Sequence, residues 1–426
     1  MDDAPVPVPL ARRGLSRRRF LAVGGGTAGV VAATAYLRPS FLLGEPAGAT
    51  PATGNTLVQV FLRGGADGLS LVPPLGDSTY QQQRTGIAVA DASALALDGR
   101  FGLHPAAPKL KALYDQGRLA LIPAAGSPNP TRSHFEAQDY MEKGTPGTAS
   151  TQDGWFGRWM NQTANADEAT LRGVGVGYGL QAALRGSAAV ATPDLSSLAL
   201  HGMDTVAWTG GNAEMTGALT GMFGGSSDPL LKAQGAAALA LVAQVGPIAD
   251  DGALPDDWPA DFGAALWPIA RLIKGGVPVE AAAADLGGWD THDSMGSPTN
   301  PNADMYRLVA ELDAALGAFF AYLGPQADKV TVVVMSEFGR RIAVNGSGGL
   351  DHGRGQAMMV IGGGVSGGVK GTWPGLTDTD SGDVKVVNDY RAVVSEVLAR
   401  RMRATDLGAV FPGFDTSSSG WLGVCA

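Results

Sequence analysis

Five short apolar runs, each opening into a polar loop, constrain this chain of 426 residues more than any other feature. They are Leu57–Leu62, Leu119–Ala124, Val277–Leu286, Val330–Met335 and Ala357–Ile361. Runs of this length, bounded by Gly or Pro, suit strands of a sheet covered on both faces. Between them lie segments with helical spacing. Asp304–Leu323 puts Tyr306, Val309, Leu312, Leu316, Phe319 and Leu323 three or four residues apart, with Pro325 just beyond the stop. Lys109–Tyr114, Phe262–Ile273 and Tyr390–Arg401 also read as helices, the last with Asn388 as its cap. Strands alternating with helices predict an α/β fold with a doubly wound, mainly parallel sheet. The stretch from Gly154 to Pro259 is less regular and reads as an insertion or cap packed on that sheet.

In open α/β sheets, ligands bind beyond the carboxyl ends of the strands. Here those ends carry RGGADGLS, GSPNPTRSHFEAQ, GGWDTHDS and SEFGRR, while GSGGLDHGRG leads into the fifth run. The loops thus present Asp67, Ser133 with His134, Asp290 with His292, Glu337 and His352 as residues that can meet at one edge. Each also has an ordinary explanation. Aspartate suits a Gly-rich turn such as that of Asp67. Glu337 directly follows an apolar strand, so its charge needs Arg340, Arg341, a helix amino end or a cation. Thr131 and Ser133 precede the helical HFEAQDYMEK, where a hydroxyl caps a helix. The same helix end binds anions and favours an alkoxide, which makes either hydroxyl a candidate nucleophile and Arg132 a holder of phosphate or sulfate oxygen. His134 suits a ligand, a base or a supporting role. Taken together, the carboxylates and imidazoles point to a metal or catalytic site more strongly than any one of them does. His104, before Pro105, reads as a helix start, and His201 is assigned no function.

Residues 1–49 stand apart. Ser16-Arg17-Arg18-Arg19-Phe20-Leu21, an apolar run from Ala22 to Leu37 and Ala47-Gly48-Ala49 compose a twin-arginine export signal with a cleavage site. The run is rich in glycine and short for a span of about 20 apolar residues. This predicts passage through the twin-arginine translocase, a periplasmic or extracellular destination and no stable membrane span after cleavage. The segment holds six of the 31 bases and three of the 40 acids, leaving 25 bases against 37 acids. So acidic a remainder is repelled by nucleic acid and anionic membrane. The one cysteine, Cys425, excludes an intrachain disulfide.

The segments LRGGADGLS, TRSHFEAQDYME, GGWDTHDS, VVVMSEFGRR and LDHGRGQAMMVIGGGVSGGVKG, with DYRAVVSEVLARRM near the C-terminus, resemble an uncharacterised family of twin-arginine-exported bacterial proteins. That family is related to the alkaline phosphatase and sulfatase superfamily. The resemblance spans about residues 57–371. It implies an alkaline-phosphatase-like fold with metal ligands at strand ends and a hydroxyl nucleophile heading a helix. By position, Asp67 resembles the first-strand metal aspartate, Ser133 or Thr131 the nucleophile, Asp290 and His292 the ligands of one metal, and His352 the final histidine ligand. Glu337 stands where an aspartate usually begins an Asp-His pair, and Phe338 stands where its histidine would be. A second metal there would have only oxygen ligands or be lost. Pro130-Thr131-Arg132 resembles part of the sulfatase signature, but Pro128 occupies the cysteine position, which excludes a formylglycine. The expectation is a metal-dependent hydrolase of phosphate or sulfate esters. Zinc would sit at Asp290, His292 and His352, and calcium or magnesium at Asp67 and Glu337. The alternative, favoured by Phe338, is a degenerate relative that serves as a binding or cell-envelope assembly protein.

Overall fold

A computed structural model describes residues 53–163, 171–199, 211–249 and 252–426. The export signal and His201 lie outside the described residues. Among the described residues the main sheet has nine strands. In chain order they are β1 (Thr56–Leu62), β2 (Leu119–Gly126), β3 (Gly173–Val176), β4 (Ala189–Thr192), β5 (Ala281–Leu286), β6 (Val330–Ser336), β7 (Gln356–Gly362), β8 (Gly368–Val369) and β9 (Asn388–Asp389). Across the sheet they run β8-β2-β7-β6-β1-β5-β3-β4, with β9 paired to β2. Every pairing is parallel except those of β7, which is antiparallel to β2 and β6.

The main helices among the described residues are α1 (Pro108–Asp115), α2 (His134–Lys143), α3 (Trp155–Met160), α4 (Gly211–Gly224), α5 (Pro229–Ala249), α6 (Phe262–Lys274), α7 (Asp304–Leu323) and α8 (Tyr390–Met402). They cover both sheet faces, and the two-residue period of β1 shows how. Val58, Val60 and Leu62 enter one core with Leu266 and Ile269 of α6 and Leu312 and Leu316 of α7. Leu57 and Phe61 enter the other core with Trp155 of α3 and Val393 and Leu398 of α8. The sheet is therefore doubly wound and mainly parallel, as the alternating pattern predicts. Among the described residues two stretches, Pro229–Ala249 and Asp304–Lys329, are long and apolar enough to cross a membrane by length and composition. Half of the second is buried, its α7 portion in the core.

Three local expectations are corrected. The run Val277–Leu286 becomes a strand only at Ala281, since Pro278 has no N–H to give to a ladder. Val277 and Val279 are still buried. The cap of α8 is Asp389, whose side chain accepts from Arg391 N, whereas the Asn388 amide donates to Pro123 O at 2.7 Å and Thr372 O at 2.8 Å. Part of the 154–259 stretch is sheet, because β3 and β4 continue the edge beyond β5.

The topology also fixes where the loops meet. β1, β2, β5 and β6 run in one direction, so their carboxyl ends lie at one edge. β7 runs in the opposite direction, which brings the loop before it to that same edge.

Candidate metal centre

Three imidazoles and one carboxylate converge at this edge. His134 is the first residue of α2, Asp290 and His292 follow β5, and His352 precedes β7. His352 Nε2 lies 2.9 Å from His134 Nε2 and 2.8 Å from His292 Nε2. Asp290 Oδ1 lies 3.4 Å from His134 Nε2, 3.2 Å from His292 Nε2 and 3.3 Å from His352 Nε2. Ligand atoms of His134, Asp290 and His352 all fall within 4.8 Å of one another, and His292 joins through its contacts with the latter two. Ligands at zinc distances in a tetrahedron are about 3.3 Å apart.

The opposite ring nitrogens decide the protonation. His352 Nδ1 is 2.9 Å from the Arg132 carbonyl, which can only accept, so Nδ1 carries the hydrogen and the neutral ring leaves Nε2 as a lone pair. His134 Nδ1 donates to Glu337 Oε1 at 2.7 Å, and His292 Nδ1 faces Asp351 Oδ1 at 3.3 Å. Each ligand ring is thus held from behind by a carbonyl or carboxylate, the arrangement that orients histidines on a metal. With the three rings neutral, their Nε2 lone pairs and a carboxylate facing one another without a cation would repel. The donor set fits a divalent ion such as zinc.

The supporting groups are ionised. Burial pushes Glu337 up, yet hydrogen bonds from His134, Gln138 and Ser336 hold its carboxyl below the ordinary range. Its Oε1 also accepts from Gln138 Nε2 at 2.8 Å and Gly64 N at 2.9 Å. The hydrogen bond to Glu337 raises His134 against the effect of burial, whereas burial lowers His352. Asp290 is lowered because Arg340 outweighs its desolvation. Arg340 is 1% exposed, donates to Asp290 Oδ1 at 2.6 Å and also holds Gly65 O, Leu350 O and Trp289 O.

Several expected roles change. Asp67 does not join the cluster. It is 1% exposed, caps the short 68–71 helix through Ser70 N, and both its oxygens bind the buried Arg84 guanidinium. Glu337 stands behind His134 and pairs with neither Arg340 nor Arg341. Phe338 packs against His134 and His352 with ring centroids 4.8 and 4.9 Å apart, so it forms an apolar wall under two ligand rings. The Arg132 guanidinium is bound to buried Asp383. Thr131 Oγ1 donates to Glu136 Oε2 at 2.6 Å. Ser133 is the N-cap residue of α2, but its exposed hydroxyl makes no capping bond.

The glycine turn after β1 contributes backbone that the sequence reading did not assign. Gly64 has φ +119°, and a Cβ there would come within 2.5 Å of Asp290 N. Gly65 has φ +69°, and a Cβ there would meet Phe338 Cε2 at 2.5 Å. These positions let β1 close against both the ligand loop and the apolar wall. The signal was present as the Gly64-Gly65 pair at a strand end.

His134 and His352 side chains are 23% and 22% exposed, whereas Asp290 and His292 are 49% and 43% exposed. The centre therefore opens on the Asp290/His292 side, where a cavity of about 950 Å³ begins.

The family model described as "Protein of unknown function (DUF1501)" matches residues 55–410, and the chain belongs to that family. No curated protein matches it. Among solved structures it is similar to a protein in the alkaline phosphatase superfamily from Vibrio parahaemolyticus (11% identity, TM-score 0.34, covering 81% of this chain and 70% of that one). It is also similar to the C-terminal periplasmic domain of EcEptC from Escherichia coli, in complex with Zn (9%, TM-score 0.34, 75% of each chain). A third is alkaline phosphatase from the Antarctic bacterium TAB5 (11%, TM-score 0.28, 75% of this chain and 94% of that one). The chemistry of the present site rests on its own geometry.

Proposed function

We propose that this DUF1501 protein is an exported, metal-dependent hydrolase of phosphate or sulfate esters. The observation that supports it most is the convergence of three imidazole Nε2 atoms on Asp290 Oδ1, with a hydrogen-bond partner behind each ring. His134, Asp290, His292 and His352 would hold one divalent ion, zinc being the best match to three nitrogens and an oxygen. When bound, the ion supplies Lewis-acid polarisation of an ester oxygen. The chain's own residues do the rest. Ser133 presents a free hydroxyl at the amino end of α2, where backbone N–H groups favour a developing alkoxide. Phe338 keeps water from the inner side of the rings, and Arg340 fixes the Asp290 carboxylate.

With Asp67 spent on Arg84 and Glu337 on His134, the donors favour a single ion over a pair. One observation favours the second reading, a binding or cell-envelope assembly protein. The Arg132 guanidinium, expected to hold an ester oxygen, is committed to buried Asp383. A panel of phosphate and sulfate esters, assayed with zinc, calcium, magnesium or manganese, separates the two. Hydrolysis that chelator removes and zinc restores is expected. Full activity in chelator rejects the metal mechanism, and zinc-loaded protein inert on every ester transfers the case to the binding protein.

A further inference from the structure

His352 is the ring that meets both other imidazoles, and it is held through a segment that supplies no ligand. Thr379–Asp380 and Asp383–Val384 pair as a short antiparallel hairpin apart from the main sheet. The turn between them, Ser381-Gly382, has φ +56° and +89°, the left-handed pair that a tight two-residue turn requires. Asp383 leaves that turn with its side chain wholly buried. One carboxylate oxygen accepts from Arg132 Nη2, and the other lies 3.3 Å from Arg341 Nε.

Both arginines lead to His352. The Arg132 carbonyl lies 2.9 Å from His352 Nδ1 and receives its hydrogen. Arg341 N donates at 3.0 Å to the carbonyl of Asp351, the residue before His352. The hairpin also grips the chain just beyond the ring, where Arg354 pairs with Asp380 and Gly355 N donates to Val384 O at 2.9 Å. A neutral imidazole carries its hydrogen on either nitrogen, and the group behind the ring decides which. Were the Arg132 carbonyl to shift, His352 could place that hydrogen on Nε2. It would then aim an N–H at His134 and His292 in place of a lone pair. We infer that Asp383 is a positioning residue of the centre. By holding Arg132 and Arg341 it keeps His352 protonated at Nδ1 and leaves Nε2 free for the ion. The inference rests on the metal-dependent reading for the ion, whereas the hold on His352 stands on the chain's own contacts.

Asp383→Asn removes the grip from its buried side. Arg132→Gln removes it at a side chain 41% exposed, where the core stays filled and the fold is expected to survive. Arg132→Lys keeps a charge that can make the single contact to Asp383. Zinc affinity of the full chain is measured by competition with a chromophoric chelator, and the fold of each variant is checked by circular dichroism. Affinity should fall at least about tenfold in the glutamine and asparagine variants, the scale seen when a group behind a metal-bound histidine is removed. The lysine variant should recover most of that loss. A second readout needs no metal. Nitrogen NMR of isotope-labelled histidines in the chelator-treated wild type should show the His352 ring protonated at Nδ1 alone, a signal assigned by its absence from His352→Ala. In Arg132→Gln that signal should give way to a mixture of both tautomers. An unchanged tautomer or an undiminished zinc affinity in Arg132→Gln rejects this inference alone, as does a lysine variant as weak as the glutamine one. A wild type that takes up no zinc, while Arg132→Gln still loses the tautomer, rejects the metal-dependent reading alone.

Discussion

His352 uses both ring nitrogens, Nδ1 on the Arg132 carbonyl and Nε2 towards His134, His292 and Asp290, and that economy recurs across the site. In the proposed hydrolase, Ser133 is the residue whose role would be separable from folding. Ser133→Ala should lower ester hydrolysis at least about 10³-fold. Because the hydroxyl makes no capping bond, stability should change by less than about 0.5 kcal/mol and metal content should stay constant. A variant with undiminished kcat would assign the attack elsewhere. Asp67 makes the opposite case, a purely structural carboxylate. Burial pushes it up, but Arg84 holds its carboxyl below the ordinary range, so its contribution is present above about pH 4 and is lost as pH falls towards the folded value. Asp67→Asn should cost about 3 kcal/mol near neutral pH, the scale of a broken buried pair. Denaturant melts against pH should show the deficit shrinking below about pH 4, and a deficit independent of pH would refute the assignment. The places of Asp290, His292 and His352 were legible because each sits beside a strand-like run. The fate of Asp67 was not, since Arg84 lies 17 residues on with no local pattern tying the two together. Arg340 was visible as a charge after a strand, but only the fold shows that it holds Asp290 rather than Glu337.

At the level of elements, long periodic segments were readable and short ones were not. The helical spacing of 304–323 matches α7 residue for residue, and three-residue and four-residue intervals put Val309, Leu312, Leu316 and Phe319 on the core face. β3 (GVGV) and β4 (AVAT) have four residues each, too few to display a period, and they join the sheet only because β5 offers an edge. The turn between β1 and Asp67 is where an element most directly sets site geometry. Gly64→Ala would force an L side chain into φ +119° and place its Cβ 2.5 Å from Asp290 N. The expected cost is about 2–3 kcal/mol, with weaker metal uptake because the Asp290 loop must move. Chemical denaturation and a zinc titration on one sample check both. An alanine variant of native stability would contradict the close packing described.

For the molecule as a whole, the doubly wound sheet explains why residues as far apart in sequence as His134 and His352 meet: parallel strand ends and one antiparallel strand bring five loops to a single edge. The export proposal belongs to this scale too, since it concerns where an assembled centre would work. Arg17→Lys together with Arg18→Lys should retain the precursor in the cytoplasm, read by fractionation. Normal export of that variant would remove the twin-arginine assignment. The central claim, that the three histidines and Asp290 form a metal centre, is tested most directly by metal analysis of protein purified without chelator. The account predicts about one divalent ion per chain, zinc foremost, for the wild type, and loss of that ion in His352→Ala with the fold retained. A wild-type protein that carries no metal and takes up none in a zinc titration, or a His352→Ala protein that keeps its full complement, would contradict it.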